Sequence, residues 1–389
     1  MALLLAPLAS LRLIPTPSLR LHSPSLAHPP GRTALPLRYS SPRLSHRPSP
    51  QPFASLRLSA ALRSSPTALA DDSPPPSPPP PRARTALDEI RAPQAGRYHL
   101  YVALGCPWAT GVLAALKYKG LGGAIGHSVV HPTWQRTRPD EEADEHCGWH
   151  FRAPGEAAVS NALGYGAFEC DGALVPDVVN GCRTVRELYD LAGDEAGKYS
   201  TPVLWCKQEG TIVCNESFDI LKMLDSAFDE LCEWPERRLF KPDEMAEAEQ
   251  LNEWIYPKLN NGVYRAGFAT TQEAYRLAHD DVFASLERLE ERFASRESTF
   301  LTGDELTWLD IRLYMTLVRF DPVYVVYFKT SHKRIADYPN LLRFMRACYA
   351  IPAIKETTNM RHIKMHYFTS HPKMNMYGII PEHDGPALE

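Results

Sequence analysis

Arg97-Tyr98-His99-Leu100-Tyr101-Val102 is an extended run that leads through Ala103-Leu104-Gly105 directly into Cys106-Pro107-Trp108-Ala109. Tyr98 to Leu104 reads as a strand, and Trp108 to Gly120 has the apolar spacing of a helix. Proline suits the first helical position, where no backbone donor is needed, so Cys106 falls at or beside the helix N-cap. A sulfur there faces unpaired N–H groups and the positive end of the helix dipole. Both favour thiolate over thiol, and such settings lower a cysteine pKa from about 8.5 to roughly 3.5–7.5. Cys106 is therefore a candidate nucleophile, with an inert core thiol as the competing reading of the tripeptide alone.

Beyond this run, Ile125 to Val130 reads as a second strand, a polar stretch from Thr133 to Asp171 interrupts, and Thr184 to Leu191 is helical. Thr201-Pro202-Val203-Leu204-Trp205 is a short apolar run, Gly210 marks a turn, and Thr211-Ile212-Val213 is the hairpin partner. Glu216 to Leu224 then sets Phe218, Ile220, Leu221 and Leu224 on one helical face. Strand–helix–strand followed by a hairpin and a helix is the order of an α/β thioredoxin-like domain, placed over residues 96–232. From Pro242 the texture changes to long amphipathic helices. One runs from Glu244 to about Leu259, and another from Gln272 to Arg296 with Tyr275, Phe283, Leu286, Leu289 and Phe293 in register. Thr307 with Asp310 three residues later is a capping pair, and Leu306 can staple onto Ile311. Residues 242–389 are thus expected to form an all-α domain with a tail.

The 389-residue chain begins differently. No Asp or Glu precedes Asp71, while arginines stand at 12, 20, 32, 38, 43, 47, 57 and 63 among many Ser, Pro and Leu. That composition predicts a transit peptide over residues 1–70, for the chloroplast ahead of the mitochondrion, followed by a proline-rich linker over 71–95. Without those eight positive charges a chain of net charge −4 becomes a body of net charge −12. An acidic body argues against a nucleic-acid partner. No later segment reads as a membrane span. Eight cysteines occur without a CxxC pair or a Cys/His cluster at zinc spacing, so no metal site is expected and most thiols are expected to be free.

Three separated elements combine into a pocket for glutathione. Besides Cys106, a cis Thr201–Pro202 bond would present the Thr201 backbone at the sheet edge to a peptide-like ligand. At the start of the next helix, Glu216 and Ser217 suit the ammonium and carboxylate of a γ-glutamyl group. Ordinary capping is the alternative for that pair.

The chain also resembles the Xi-class glutathione transferases, or glutathionyl-hydroquinone reductases, of the plant plastid type, over about Arg97 to Ile380. The motifs that carry the resemblance are Gly96 through Val102, Cys106-Pro107-Trp108-Ala109, Gly148-Trp149, Pro202 through Ser217 and Asn260-Asn261-Gly262-Val263-Tyr264. They continue with Leu301-Thr302-Gly303, Asp310-Ile311-Arg312, Phe320-Asp321-Pro322-Val323-Tyr324 and His366-Tyr367-Phe368. The resemblance implies a homodimer of two-domain chains that uses glutathione as co-substrate and acts on quinol-type small molecules. It implies Cys106 as nucleophile, Trp149, Lys198, Thr201, Pro202, Glu216 and Ser217 around glutathione, and Tyr264, Tyr367 and Tyr324 around the quinol, the first two in catalysis. The implied reaction removes glutathione from a glutathionyl-hydroquinone through a mixed disulfide on Cys106, giving hydroquinone and oxidised glutathione. General thiol transfer, dehydroascorbate reduction, and non-catalytic binding of quinones or tetrapyrroles are the competing readings.

Three departures from the family pattern stand out. Thr110-Gly111 replaces a pair whose second member is usually arginine, which is expected to weaken thiolate stabilisation at Cys106. Cys206 and Cys214 stand where Asp and Asn are usual, and Cys214 is expected to be open to oxidation. The segment before the first strand is short, with a cost expected in stability or dimer packing.

Overall fold

The computed structural model describes residues 93–389, so the expected leader and most of the linker lie outside the described residues. The described residues form six strands and eleven α-helices, all within one unit. The main sheet contains β1 (Tyr98–Val102), β2 (Gly126–Val129), β5 (Val203–Cys206) and β6 (Thr211–Cys214) in the order β2-β1-β5-β6. β1 runs parallel to β2 and antiparallel to β5, and β6 closes the hairpin. A separate two-residue pair, β3 (Gln135–Arg136) with β4 (Cys147–Gly148), lies inside the polar stretch that sequence left without elements.

The period-2 alternation of β1 divides the core. Tyr98, Leu100 and Val102 face one layer, formed by α1 (Pro107–Tyr118), α3 (Ser217–Ser226) and the helical half. Tyr101 and Ala103 face the other, with Val203, Trp205 and α2 (Val185–Leu191). Thr184, read from the sequence as the first helical residue, is the N-cap of α2 and accepts from the Glu187 N–H.

In the helical half, α4 (Pro242–Ile255) ends earlier than expected, because Pro257 has no N–H and the chain passes through a π turn over Tyr256–Asn260 into α5 (Gly262–Gly267). α6 (Gln272–Ala294) buries Val282, Phe283, Leu286, Leu289 and Phe293 along one stripe. α7 (Trp308–Arg319) starts on the predicted Thr307–Asp310 capping box. It continues through a second π turn, Phe320–Tyr324, into the short α8 (Val325–Tyr327). α9 (Pro339–Tyr349), α10 (Pro352–Thr357) and α11 (Met360–Ser370) complete the layer. Unlike α6, α11 is buried on every side from His362 to Ser370, which marks it as an element packed between others.

α1 joins the two halves. It packs against α7, and Gly111 sits at that seam, buried, where an added Cβ would lie 3.4 Å from Ile311 Cγ2 and 3.7 Å from Met315 Cγ. Those are ordinary contacts, and Gly111 lies in a helix interior, where glycine is the weaker choice. Gly111→Ala is therefore expected to stabilise the protein by about 0.5–1 kcal/mol, read as a higher midpoint in chemical denaturation.

Candidate active site

Cys106 is the N-cap of α1, with extended backbone at φ −79° and ψ 121°, and Pro107 is the first helical residue. Its sulfur lies 3.7 Å from the Thr201 carbonyl, toward which the thiol can point. Burial pushes the thiol up, against the sequence expectation. The N–H groups of Ala109 and Trp108, the Arg319 guanidinium and Thr201 oppose that rise. The helix N–H groups act on the sulfur without a capping hydrogen bond of ordinary geometry, and Arg319 acts as a charge.

The Thr201–Pro202 bond is cis. The sequence placed Thr201 at the sheet edge, but β5 is an interior strand between β1 and β6. Thr201 lies beyond its end, because the pairing stops at Tyr101–Val203. The Thr201 backbone therefore faces the Cys106 turn at the end of the strand instead of a lateral neighbour.

Cys106, Trp149, Lys198, Thr201, Tyr264 and Tyr367 line one cavity of about 600 Å³, a volume suited to a small organic ligand. Tyr264 and Tyr367 meet hydroxyl to hydroxyl at 2.5 Å, and Tyr324 reaches Tyr367 at 3.1 Å. Tyr324 is fully buried behind this pair, stacked on Phe328, and does not line the cavity. Burial holds all three phenols above their ordinary range, so they stay protonated and can donate. Tyr264 and Tyr324 also interact, so the three hydroxyls form one mutually bonded cluster.

Glu216 and Ser217 stand apart from the walls of this cavity, at the N-terminus of α3. Glu216 is the N-cap, yet its side chain makes no capping bond, so ordinary capping does not account for it. Partial burial and the neighbouring Asp219 push its carboxyl up. Cys214 is fully buried and its sulfur accepts from the Glu216 N–H at 3.4 Å. Cys206 is equally buried, and its sulfur accepts from Arg97 Nε at 3.5 Å. The expected exposure of Cys214 to oxidation is not met by this packing.

Sequence reading missed much of the cavity wall. Trp134, from the polar stretch, and Phe268 and His371, from the helical half, line it together with His366. His366 stacks near Trp149 at 4.5 Å between ring centres. Its Nδ1 lies 3.0 Å from the Pro132 carbonyl and 3.1 Å from Ser370 Oγ. Burial lowers the ring to about 3, and it stays neutral. The motif His366-Tyr367-Phe368 was visible in the sequence, but a histidine among apolar residues carries no sign of what it faces.

The wall exists because α11 folds back on the loop after β2. Thr369 Oγ1 meets Thr133 Oγ1 at 2.8 Å, Ser370 Oγ accepts from the Trp134 N–H at 3.0 Å, and His362 pairs with Asp171 at 3.0 Å. The approach is closest at Gly105, where a Cβ would stand 2.4 Å from His366 Cβ. Among the described residues, no group of three or more His, Cys, Asp or Glu side chains is arranged to hold a metal ion.

Comparison with known proteins agrees with this geometry. Residues 105–227 match the glutathione S-transferase N-terminal domain, and residues 272–347 match the glutathione S-transferase C-terminal domain. The glutathionyl-hydroquinone reductase YqjG of Escherichia coli K12 is 43% identical over 285 residues, covering 73% of this chain and 78% of that protein. Its glutathione-bound structure has a TM-score of 0.65 and covers 76% of this chain and 86% of that one. The glutathionyl-hydroquinone reductase PcpF of Sphingobium chlorophenolicum is 40% identical over 305 residues, covering 78% and 87%. The crystal structure of glutathione transferase Xi 1 from Trametes versicolor has a TM-score of 0.65 at 38% identity, covering 76% and 93%.

Gly105 is the position where this site is least tolerant. Gly105→Ala forces either α11 or the Cys106 turn to shift, since neither Cβ can rotate away. The expected result is a loss of about 1–3 kcal/mol in chemical denaturation, together with weaker glutathione binding by calorimetry.

Proposed function

Because the chain belongs to the Xi-class glutathione transferase and glutathionyl-hydroquinone reductase family, we propose that it removes glutathione from glutathionyl-hydroquinones through a covalent step on Cys106. The observation that carries this reading is that the Cys106 thiol and the hydrogen-bonded Tyr264–Tyr367 pair open onto the same cavity. A nucleophile and a proton donor are then available to the two sides of one carbon–sulfur bond.

In this mechanism the Cys106 thiolate attacks the glutathione sulfur of the substrate. The sulfur–carbon bond breaks and its electron pair goes to the ring carbon, which takes up a proton supplied through the tyrosine hydroxyls. Free hydroquinone leaves, and glutathione remains on Cys106 as a mixed disulfide. A second glutathione, as thiolate, attacks that disulfide, releases oxidised glutathione and returns Cys106 to its starting state. Trp149, Lys198, the Thr201 backbone, Glu216 and Ser217 hold the glutathione portion, with Glu216 serving the ammonium and the N-terminus of α3 the carboxylate. Tyr264 and Tyr367 contact the quinol ring, and Tyr324 orients Tyr367 from behind.

On this reading the enzyme is a homodimer and acts in the chloroplast, to which its first seventy residues direct it. A fluorescent protein fused behind residues 1–80 is expected to enter plastids, and cytosolic or mitochondrial fluorescence would overturn that address.

The reaction is tested by steady-state reduction of a glutathionyl-hydroquinone with glutathione as reductant. Cys106→Ser is expected to abolish turnover with the circular-dichroism spectrum unchanged, and Cys106→Ala to abolish the glutathione adduct seen by mass spectrometry. Turnover is expected to climb with alkaline pH, since burial raises the thiol and only its deprotonated form reacts. A Cys106→Ser enzyme that still turns over would remove the proposal. Tight quinone binding by a folded wild-type protein without turnover would favour a ligand-binding role instead.

A further inference from the structure

The last residue of α7, Arg319, is fully buried, and no Asp or Glu side chain among the described residues lies within ion-pair distance of it. Most of its donors are spent on the turn that carries the nucleophile and on the start of α1. Nε donates to the Gly105 carbonyl at 3.2 Å, and Nη2 to the Leu104 carbonyl and to Thr110 Oγ1, each at 3.2 Å. Nη1 donates to the Met315 carbonyl one turn back, at 2.7 Å. Thr110 Oγ1 in turn donates to the Cys106 carbonyl at 2.7 Å. A guanidinium cannot shed its proton in a protein, so the fold keeps a whole positive charge in a low-dielectric site with only dipoles around it.

We propose that Arg319 is the positioning residue that stabilises the Cys106 anion, its buried and carboxylate-free guanidinium supplying the counter-charge from the far side of the Leu104–Cys106 turn. This rests on the reading of Cys106 as the nucleophile and deepens it. It also accounts for Thr110-Gly111. The charge expected from arginine on α1 comes here from α7, and Thr110 provides the hydroxyl through which the two helices meet.

Few other groups compete for this role. The remaining titratable side chains around the sulfur are Tyr264 on α5, Tyr324 in the π turn, His366 and Tyr367 on α11, His371 just after it, and His146, Cys147, Lys198 and Tyr199 in the facing loops. Burial keeps Tyr264, Tyr324 and Tyr367 protonated and the histidines neutral near pH 7, and it pushes the Cys147 thiol up. Lys198 is exposed, so solvent screens its charge. Tyr314 also lies within the field of Arg319 and is held protonated by burial.

The test compares Arg319→Lys with Arg319→Gln in the full chain. Both shorten the side chain and keep N–H donors for the carbonyls, and they differ in charge. Iodoacetamide labelling of Cys106 is followed by mass spectrometry of its peptide from about pH 6 to about pH 10. Arg319→Gln is expected to label about tenfold more slowly than Arg319→Lys at pH 7, with its rise displaced to alkaline pH. Identical profiles for the two would overturn the proposal and leave Arg319 a brace for the turn.

If Arg319→Gln does not fold, Cys106→Asp and Cys106→Asn are compared with Arg319 in place, since Asp and Asn cap helices equally well. Cys106→Asp melting above Cys106→Asn at pH 7 by more than a helix dipole alone gives a carboxylate supports the counter-charge, and a margin within that or a lower melting point overturns it. Labelling is read without substrate. A Cys106 that responds to Arg319 yet is dispensable for turnover would defeat the reaction proposed above and not this inference.

Discussion

The arrangement depends on a single crossing: the Leu104–Cys106 turn is held between the end of α7 and the middle of α11. Arg319 ties the turn's carbonyls to the helical half, and Gly105 lets α11 approach until no Cβ would fit. Backbone carbonyls at a strand-to-helix junction must find donors when buried. Here the donors come from more than two hundred residues further along the chain. The nucleophile's position is thus a property of both halves together.

That crossing explains why the cavity is both aromatic and polar at its base. α11 is buried on all sides, and it brings His366 and Tyr367 to the cavity on successive residues. The Tyr264, Tyr324 and Tyr367 hydroxyls bond among themselves, which lowers the cost of burying them. The same burial raises the Cys106 thiol and strengthens each charge or dipole aimed at it. The helix N–H groups and the buried Arg319 charge together oppose the desolvation of the thiol without outweighing it.

Much was legible in the chain. The extended run Tyr98–Val102, Pro107 after Cys106 and the Thr307–Asp310 pair each encode local structure through sterics and capping, and each forms as read. Local signals stop at the helix made of both α4 and its π turn, where Pro257 was embedded in an otherwise helical pattern. They also stop at Thr201, whose cis bond was anticipated but whose place at the end of an interior strand depends on sheet order, a non-local matter.

The thioredoxin-like and all-helical halves and the nucleophile at a helix start were written in the chain's local chemistry. Its motifs added Trp149, Lys198, Thr201, Tyr264 and Tyr367 as the companions of Cys106 in the cavity. Packing alone set Glu216 and Ser217 outside the cavity wall, Tyr324 behind Tyr367, and Trp134, Phe268, His366 and His371 in the rest of the wall. It also brought a buried arginine from α7 to face the turn on which α1 begins. Periodicity and capping act within about one helical turn, whereas desolvation and charge compensation depend on which distant side chains the fold draws within a few ångströms of one another.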